Sequence, residues 1–355
     1  MTTGSLADRI PKIQLHCHLE GALRAATFVE LASKHGVPLR YRPSTPPAVA
    51  GEAREEPQAD PGDPYRFASH REFLYLFAAV SRSLKDAEDY ARLAREFVED
   101  ALSQGVIYGE LFVSPSVWTF FHPQLDVRAT MEAIVAELRA ARPRATFRLL
   151  PDLTRNFGAQ SAMATARAAA EMTDLDVIGV SLGGDEQRFP AGLFAEPFAY
   201  ARAEGLHCVA HAGESDGAAS VRDALEILGA ERIGHGIRAL EDPQVVELLA
   251  ERRAALEICP TSNRLTGVAL RGCPHPYEDF DRRGCLVTID ADDPALFETS
   301  ITAEYRIVER TAGAAALERY VRNAVEASFA QSSEKAAMLA EIEPAVAELR
   351  EQSRS

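Results

Sequence analysis

The chain has 355 residues, of which 46% are hydrophobic and 26% charged, a balance that is typical of a globular protein. Its formal net charge of -15 at pH 7 argues against nucleic acid or an anionic membrane surface as a partner, because like charges repel. The five cysteines form no Cys-x-x-Cys pair, and no apolar run is long enough to cross a bilayer. We therefore predict a cytoplasmic protein without a disulfide framework.

The first predicted strand, at residues 13–16, ends in the motif His16-Cys-His18. Alternate residues of a strand point to the same side, so both imidazoles would face one point at the strand end. Two histidines placed in this way are half of a metal site. A helix is predicted at 25–35. The proline-rich and acidic stretch that follows, 42–64, is predicted to be an insertion that either forms part of a lid or is solvated without a role.

From residue 70 onwards, helical patterns alternate with short apolar strands. The predicted strands are 13–16, 106–112, 146–150, 177–182, 207–211, 232–234, 256–258 and 286–289. The predicted helices among them are 70–84, 87–103, 128–141, 159–171, 194–204, 220–228, 243–253 and 277–283. Eight strand–helix units favour one (β/α)8 TIM-type barrel over residues 1–355, with additional helices at 314–353. The alternative, an open doubly wound sheet, lacks the Gly-x-Gly-x-x-Gly expected after its first strand.

Polar residues occur at nearly every predicted strand end, which is where the active sites of such barrels lie. Besides the first motif, these segments are Gly183-Gly-Asp-Glu186, His211-Ala-Gly-Glu214, Gly234-His-Gly236, Cys259-Pro-Thr-Ser-Asn263 and Asp290-Ala-Asp-Asp-Pro294. Because the strand ends meet at one rim, we expect these polar groups to converge on a single pocket.

His16, His18 and His211, together with an aspartate after the eighth strand, would give three imidazoles and a carboxylate, the ligand set of a catalytic zinc site. His235 would face the metal-bound water, whose pKa zinc lowers towards about 7. Glu214 is predicted to be a proton donor, because burial raises the pKa of a carboxyl group, or else an acid at a helix N-terminus. The remaining histidines are predicted to be ordinary surface or core residues: His35, His70, His122, His207 and His275.

Taken in order, these motifs resemble the adenosine deaminase family of the amidohydrolase superfamily. The matching segments are Leu15-His-Cys-His-Leu-Glu-Gly-Ala22, Gly183-Gly-Asp-Glu186, His211-Ala-Gly-Glu214, Arg232-Ile-Gly-His-Gly236, Cys259-Pro-Thr-Ser-Asn263 and Asp292-Asp-Pro294. They extend over almost the whole chain. The resemblance implies a single zinc ion per chain, held by His16, His18, His211 and Asp292.

The resemblance also implies roles around a purine. His235 would orient and deprotonate the zinc-bound water, and Glu214 would protonate the ring at N1. Asp293 would meet N7, the backbone N–H of Gly184 would donate to N3, and Glu20 would lie on the sugar side. Attack at C6 would release ammonia and leave a 6-oxopurine.

The chain departs from the family pattern at several positions that surround the substrate. Glu20 stands where aspartate is usual, and Phe112-Val113 where Arg-Tyr is usual, which would make that part of the pocket more apolar. Trp118, Phe120 and Phe121 either wall a large substituent or pack in the core or rim. Asp290 replaces an asparagine, and it either points away from the metal or changes the charge beside it.

The substrate is accordingly left open among related purines. The expected reaction is deamination of adenosine or 2′-deoxyadenosine. The alternatives are a modified adenine nucleoside such as 6-aminodeoxyfutalosine, free adenine, and a degenerate member that binds a nucleoside without turnover. A cytidine-type zinc deaminase is rejected because Pro-Cys-x-x-Cys is absent. The oligomeric state is not predicted.

Overall fold

A computed structural model of the chain describes residues 5–41, 62–269 and 274–352. Most of the predicted insertion at 42–64 lies outside these described residues, and so does Cys273. The eight strands are β1 Lys12–His18, β2 Val106–Val113, β3 Thr146–Pro151, β4 Gly179–Val180, β5 His207–Ala212, β6 Arg232–His235, β7 Ala255–Ile258 and β8 Val287–Ile289. All eight predicted strands are present, although β4 is shorter than the stretch predicted at 177–182.

The strands run parallel and follow one another in chain order around a barrel. Strands β1 to β3 form one ladder and β4 to β8 another. Short parallel bridges join the two ladders at both seams, Leu149 with Val177 on one side and Cys17 with Asp292 on the other. At the second seam the N–H of His18 donates to the carbonyl of Asp292 at 2.9 Å. The prediction of a (β/α)8 barrel is confirmed.

The helices surround the strands. They are α1 Leu6–Arg9, α2 Ala25–His35, α3 His70–Ser83, α4 Ala87–Ser103, α5 Pro115–Phe121, α6 Val127–Ala140, α7 Gly158–Ala170, α8 Ala195–Ala203, α9 Ala218–Asp223, α10 Pro243–Arg252, α11 Pro260–Leu265, α12 Tyr277–Arg282, α13 Ile301–Ala312, α14 Ala314–Ala327 and α15 Ser332–Gln352. A π-helical turn, Ala224–Leu228, extends α9. None of the described helices is long and apolar enough to span a membrane.

The sequence signals at the helix ends explain where several helices begin and end. The Asp86 carboxylate accepts the N–H groups of Glu88 and Asp89 and so caps α4, while Gly36 ends α2 in a left-handed conformation with φ of 64°. Four of the described helices were not predicted: α1, α5, α11 and α13. Of these, α5 and α11 are short helices that start with proline directly after a strand, and their length hides the helical period.

The Asp290 side chain links β8 to β1 through hydrogen bonds. Its buried Oδ1 accepts the backbone N–H of Leu15 at 2.6 Å and that of His16 at 3.1 Å, and its Oδ2 accepts the hydroxyl of Thr288 at 2.8 Å. Burial raises the pKa of Asp290 to about 7. Of the two predicted alternatives, the carboxyl group points away from the pocket, into the barrel wall.

We expect the Asp290→Ala variant to unfold more readily, because two buried N–H groups of β1 would lose their acceptor, at a cost of about 1–3 kcal/mol for each unsatisfied group. Asp290→Asn is the matched control, since its amide oxygen can accept the same two hydrogen bonds. Urea denaturation of both variants measures the difference. Equal free energies of unfolding for the two variants would contradict this role.

Candidate active site

Four side chains converge at the carboxyl end of the barrel. They are His16 and His18 at the end of β1, His211 on β5, and Asp292 after β8, and their potential ligand atoms all lie within 4.8 Å of one another. Asp292 Oδ1 is 3.3 Å from His16 Nε2 and 3.5 Å from His18 Nε2. The Nε2 atoms of His18 and His211 are 3.1 Å apart. The structure therefore brings together all four residues predicted to bind the metal.

The donor atoms of this cluster fit a divalent cation. His16 Nε2 is buried and has no hydrogen-bond partner, while Nδ1 of the same ring contacts Glu257 Oε2 at 2.8 Å. A ligand histidine is commonly oriented by a carboxylate in this way. Burial lowers the pKa of His18 to about 4 and that of His211 well below its usual range, so both rings are neutral and their lone pairs are free to bind a metal.

The close approach of these groups depends on special backbone geometry. His235 and Asp292 have φ angles of 59° and 63°, in the left-handed region that non-glycine residues rarely adopt. A Cβ atom on Gly234 would lie 2.8 Å from Cε1 of His16, so glycine leaves the room that the imidazole ring occupies. Phe112 packs edge-on against His16, with ring centroids 4.8 Å apart, and therefore lies among the histidines.

The two predicted catalytic side chains face this cluster. His235 Nε2 is 3.8 Å from Glu214 Oε2 and 3.9 Å from Asp292 Oδ2. The turn that carries Glu214 is held by the Glu186 carboxylate, which accepts the backbone N–H groups of residues 213–216. Because α9 begins only at Ala218, Glu214 lies before the helix and faces the pocket. The segment 183–186 thus positions Glu214 from a neighbouring loop.

Asp293 lies beside the metal cluster and under the turn at Gly21. A Cβ atom on Gly21 would be only 1.9 Å from Asp293 Oδ1, so this approach requires glycine. Burial, followed by the neighbouring Asp292 carboxylate and those of Glu20 and Glu214, holds the pKa of Asp293 well above its usual range. Its Oδ1 is buried without a hydrogen-bond partner and is free to meet a ligand.

Glu20 is fully buried and only one of its oxygens is used. Oε1 accepts the indole N–H of Trp118 at 2.6 Å and the backbone N–H of Ser114 at 2.8 Å, whereas Oε2 has no hydrogen-bond partner. Burial raises the pKa of Glu20 to about 7. Trp118 is itself fully buried and orients Glu20 through its indole N–H. Phe120, by contrast, is 54% exposed at the rim.

Gly184 occupies the position predicted to meet the substrate through its backbone. Its φ is 101°, and a Cβ atom there would lie 2.4 Å from Asn156 Oδ1. The residue is half-buried, and its N–H donates to no group within the described parts of the chain. A side chain at this position would displace the turn that exposes this donor.

The similarity of this chain to known proteins extends over almost its whole length. The family model described as adenosine deaminase matches residues 11–345. The chain belongs to the adenosine deaminase family. It is a hydrolytic deaminase of this family, in agreement with the enzyme class predicted from its motifs.

The relatives that this chain resembles are named for several different substrates. The chain is 34% identical to an adenine deaminase of Rhizobium leguminosarum bv. trifolii, over 94% of this chain and 99% of that protein. It is 35% identical to an adenosine deaminase of Photorhabdus laumondii, with 93% and 97% covered. Identity is also 35% to an aminodeoxyfutalosine deaminase of Streptomyces avermitilis, with 94% and 90% covered.

Solved structures of related proteins have the same fold. The adenine deaminase from Arthrobacter aurescens superposes with a TM-score of 0.84 at 25% identity, covering 95% of this chain and 99% of that one. An amidohydrolase from Burkholderia ambifaria with bound zinc has a TM-score of 0.82 at 25% identity, with 99% and 96% covered. The site of this chain therefore lies in a fold that holds a metal in a family relative.

Two histidines predicted to be ordinary lie at the site instead. His70, the first residue of α3, has its Nε2 atom 3.8 Å from Glu214 Oε1. His275 contacts Asn263, which in turn contacts His235. No local pattern distinguishes these two from the others, because each reaches the site only through the folding of a distant segment. The other three contact groups elsewhere: His35 meets Asp89, His122 the Arg82 carbonyl, and His207 Glu231.

We expect Glu257→Gln to weaken metal binding by about 10- to 100-fold, since His16 would lose the carboxylate that orients its ring. Glu110→Gln is the matched control. Glu110 and Glu257 both pair with the buried Arg232, but only Glu257 contacts His16. Competition for zinc with a chromophoric chelator measures the affinity. An equal loss in both variants would assign the effect to the Arg232 pair rather than to His16.

Proposed function

We propose that this protein is a zinc-dependent aminopurine nucleoside deaminase that converts adenosine or 2′-deoxyadenosine to the 6-oxopurine nucleoside and ammonia. The observation that carries the proposal is the placement of Glu214 and His235 beside the four-residue cluster. His235 Nε2 lies within 4 Å of both Glu214 and Asp292. One pocket thus offers a metal site, a proton donor and a group that orients water.

The proposed zinc ligands are His16, His18, His211 and Asp292. The three imidazoles and one carboxylate support this assignment, as does the zinc in the Burkholderia ambifaria relative. When bound, zinc would supply a Lewis acid that makes a hydroxide nucleophile available at neutral pH.

Side chains and one backbone N–H of the protein then bind the purine and protonate it. Glu214 donates a proton to N1, which makes C6 electrophilic. Asp293 meets N7 through its unpartnered Oδ1, and the free N–H of Gly184 donates to N3. His235 orients the attacking water through Nε2, the ring nitrogen that faces the pocket. Together these contacts address N1, N3 and N7 of the ring, and a pyrimidine has no counterpart of N7.

The charge of the pocket favours a substrate without a phosphate group. Within the described residues, Glu20, Asp152, Glu214 and Asp293 have no ion pair with lysine or arginine. The guanidinium of Arg155, which lies near Asp152, donates to the carbonyls of Phe189 and His211. A 5′-phosphate placed beside these groups would therefore have no lysine or arginine to compensate its charge. The unpartnered Oε2 of Glu20 supports a neutral hydroxyl donor, such as a sugar hydroxyl.

Free adenine and 6-aminodeoxyfutalosine are the competing substrates. Adenine is favoured by the adenine deaminases among the relatives, and the modified nucleoside by the aminodeoxyfutalosine deaminase at 35% identity. A nucleoside-binding protein without turnover is disfavoured, because Glu214 and His235 are both present and face the cluster.

We expect zinc-loaded protein to release ammonia from adenosine and 2′-deoxyadenosine faster than from adenine, 6-aminodeoxyfutalosine or AMP. The kcat/KM for AMP is expected to be at least ~100-fold below that for adenosine, because each 1.4 kcal/mol of unfavourable binding is a factor of ten. Ammonia release and the change in the purine ultraviolet band measure the rates. If no aminopurine in this panel releases ammonia, the proposed function fails. A higher kcat/KM for adenine than for adenosine would show that the substrate is the free base and not the nucleoside.

We expect Glu214→Gln to lower kcat by about 100- to 10,000-fold while the zinc content stays unchanged, because glutamine cannot donate the proton to N1. Glu241→Gln is the control, since Glu241 lies on the surface and pairs with Arg238. Kinetics and metal analysis are performed on the same preparations. Undiminished turnover by Glu214→Gln would show that another group protonates the ring.

A further inference from the structure

A chain of polar contacts leads from His235 away from the pocket. His235 Nδ1 contacts the amide nitrogen of Asn263 at 3.0 Å, and the amide oxygen of Asn263 contacts His275 Nε2 at 3.1 Å. Asn263 is fully buried, and His275 is stacked on Tyr277 with ring centroids 5.2 Å apart. The opposite nitrogen of His235, Nε2, faces Glu214 and Asp292 in the pocket.

The backbone of Asn263 is also held, so that only the orientation of its amide group is free. Its N–H donates to the carbonyl of Cys259 at 3.0 Å, and its carbonyl accepts the N–H of Ala269 at 2.8 Å. An amide has a donor at one end and an acceptor at the other. Whichever end faces His235, the other end faces His275, and the tautomers of the two histidines are therefore coupled.

Only two proton arrangements satisfy the amide when both rings are neutral. In the first, His275 Nε2–H donates to Oδ1 and the amide N–H donates to His235 Nδ1, which leaves the hydrogen of His235 on Nε2. In the second, the amide is turned over, His235 carries its hydrogen on Nδ1, and its Nε2 is bare. The second arrangement requires His275 to carry its hydrogen on Nδ1.

His275 Nδ1 decides between these arrangements. This atom is buried and has no hydrogen-bond partner within the described residues. Buried N–H donors without an acceptor are rarer than under-used acceptors, so a bare Nδ1 is the less costly state. Burial also lowers the pKa of His275 to about 3, which leaves the ring with a single hydrogen. That hydrogen belongs on Nε2, where the Asn263 oxygen accepts it.

We propose that His275 is a positioning residue that acts through Asn263 to keep the hydrogen of His235 on Nε2, facing the pocket. In that tautomer Nε2 has no lone pair to accept a proton. If the proposed deamination is correct, His235 orients the attacking water as a hydrogen-bond donor and does not remove its proton. This differs from the role as a base that the family resemblance implies.

The test is the ¹⁵N NMR spectrum of the histidine side chains in zinc-loaded protein, with the His235 signals assigned by their loss in His235→Asn. We expect a hydrogen on Nε2 and a bare Nδ1 in the wild type. Asn263→Asp, which offers only acceptors, should move the hydrogen to Nδ1. A wild-type His235 with its hydrogen on Nδ1 would overturn the proposal.

His275 is tested by two substitutions and a control. His275→Phe keeps an aromatic ring on Tyr277 but removes the hydrogen-bond donor. We expect His235 to show both tautomers in this variant. We also expect kcat to fall about tenfold with little change in KM, which corresponds to 1.36 kcal/mol in the barrier. His275→Gln retains an N–H donor and should restore both. His207→Phe is the control, since His207 also stacks on an aromatic ring, Phe329, at the other end of the barrel.

An unchanged His235 spectrum in His275→Phe would also overturn the proposal. The spectrum requires no substrate. Failure of every aminopurine to release ammonia would therefore disprove the proposed function while leaving the tautomer result valid, and the two failures are distinguishable.

Discussion

The contact between His16 and Glu257 is the interaction on which the rest of the site depends. One carboxylate oxygen of Glu257 accepts from His16 at 2.8 Å, and the other pairs with Arg232 at 2.6 Å. Arg232 also pairs with Glu110 at 2.6 Å. All four side chains are buried. Because these residues lie on β1, β7, β6 and β2, one network of charges joins four strands beneath the metal cluster and orients the first imidazole.

Such a network is costly to bury unless each charge has a partner. Here one guanidinium lies between two carboxylates, and the second carboxylate also meets an imidazole. Burial lowers the pKa of His16, but the carboxylates of Asp292 and Glu257 outweigh this effect and raise that pKa to about 10. A cation bound at Nε2 would take over the stabilisation that this proton provides, which is why the electrostatics of the barrel interior favour metal binding.

Above the network, the rim combines strained backbone with unsatisfied polar atoms. His235 and Asp292 adopt positive φ angles, and Gly21 and Gly184 lie where any Cβ atom would collide with a neighbour. Strain of this kind persists only where the surrounding structure enforces it, and it is concentrated at functional sites. The free oxygens of Glu20 and Asp293 are the groups that this geometry leaves available.

The sequence by itself determined the architecture and the metal cluster. Eight apolar strands alternating with helices predict the barrel, and a parallel barrel places every strand end at one rim. His16, His18, His211 and an aspartate after β8 could therefore be grouped from their positions in the chain, and the family resemblance singled out Asp292. This works because the rule depends only on element order and on the period of two along a strand.

Only the tertiary structure decided the contacts between side chains that are distant in the chain. Asp290 turned out to bind the backbone of β1, Trp118 to hold Glu20, and His275 to reach His235 through Asn263. Hydrogen bonds of this kind depend on where two loops meet and how each rotamer points, to within a fraction of an ångström. Neither local composition nor periodicity specifies the distances between such side chains, and for this reason the supporting residues could be identified only in the folded chain.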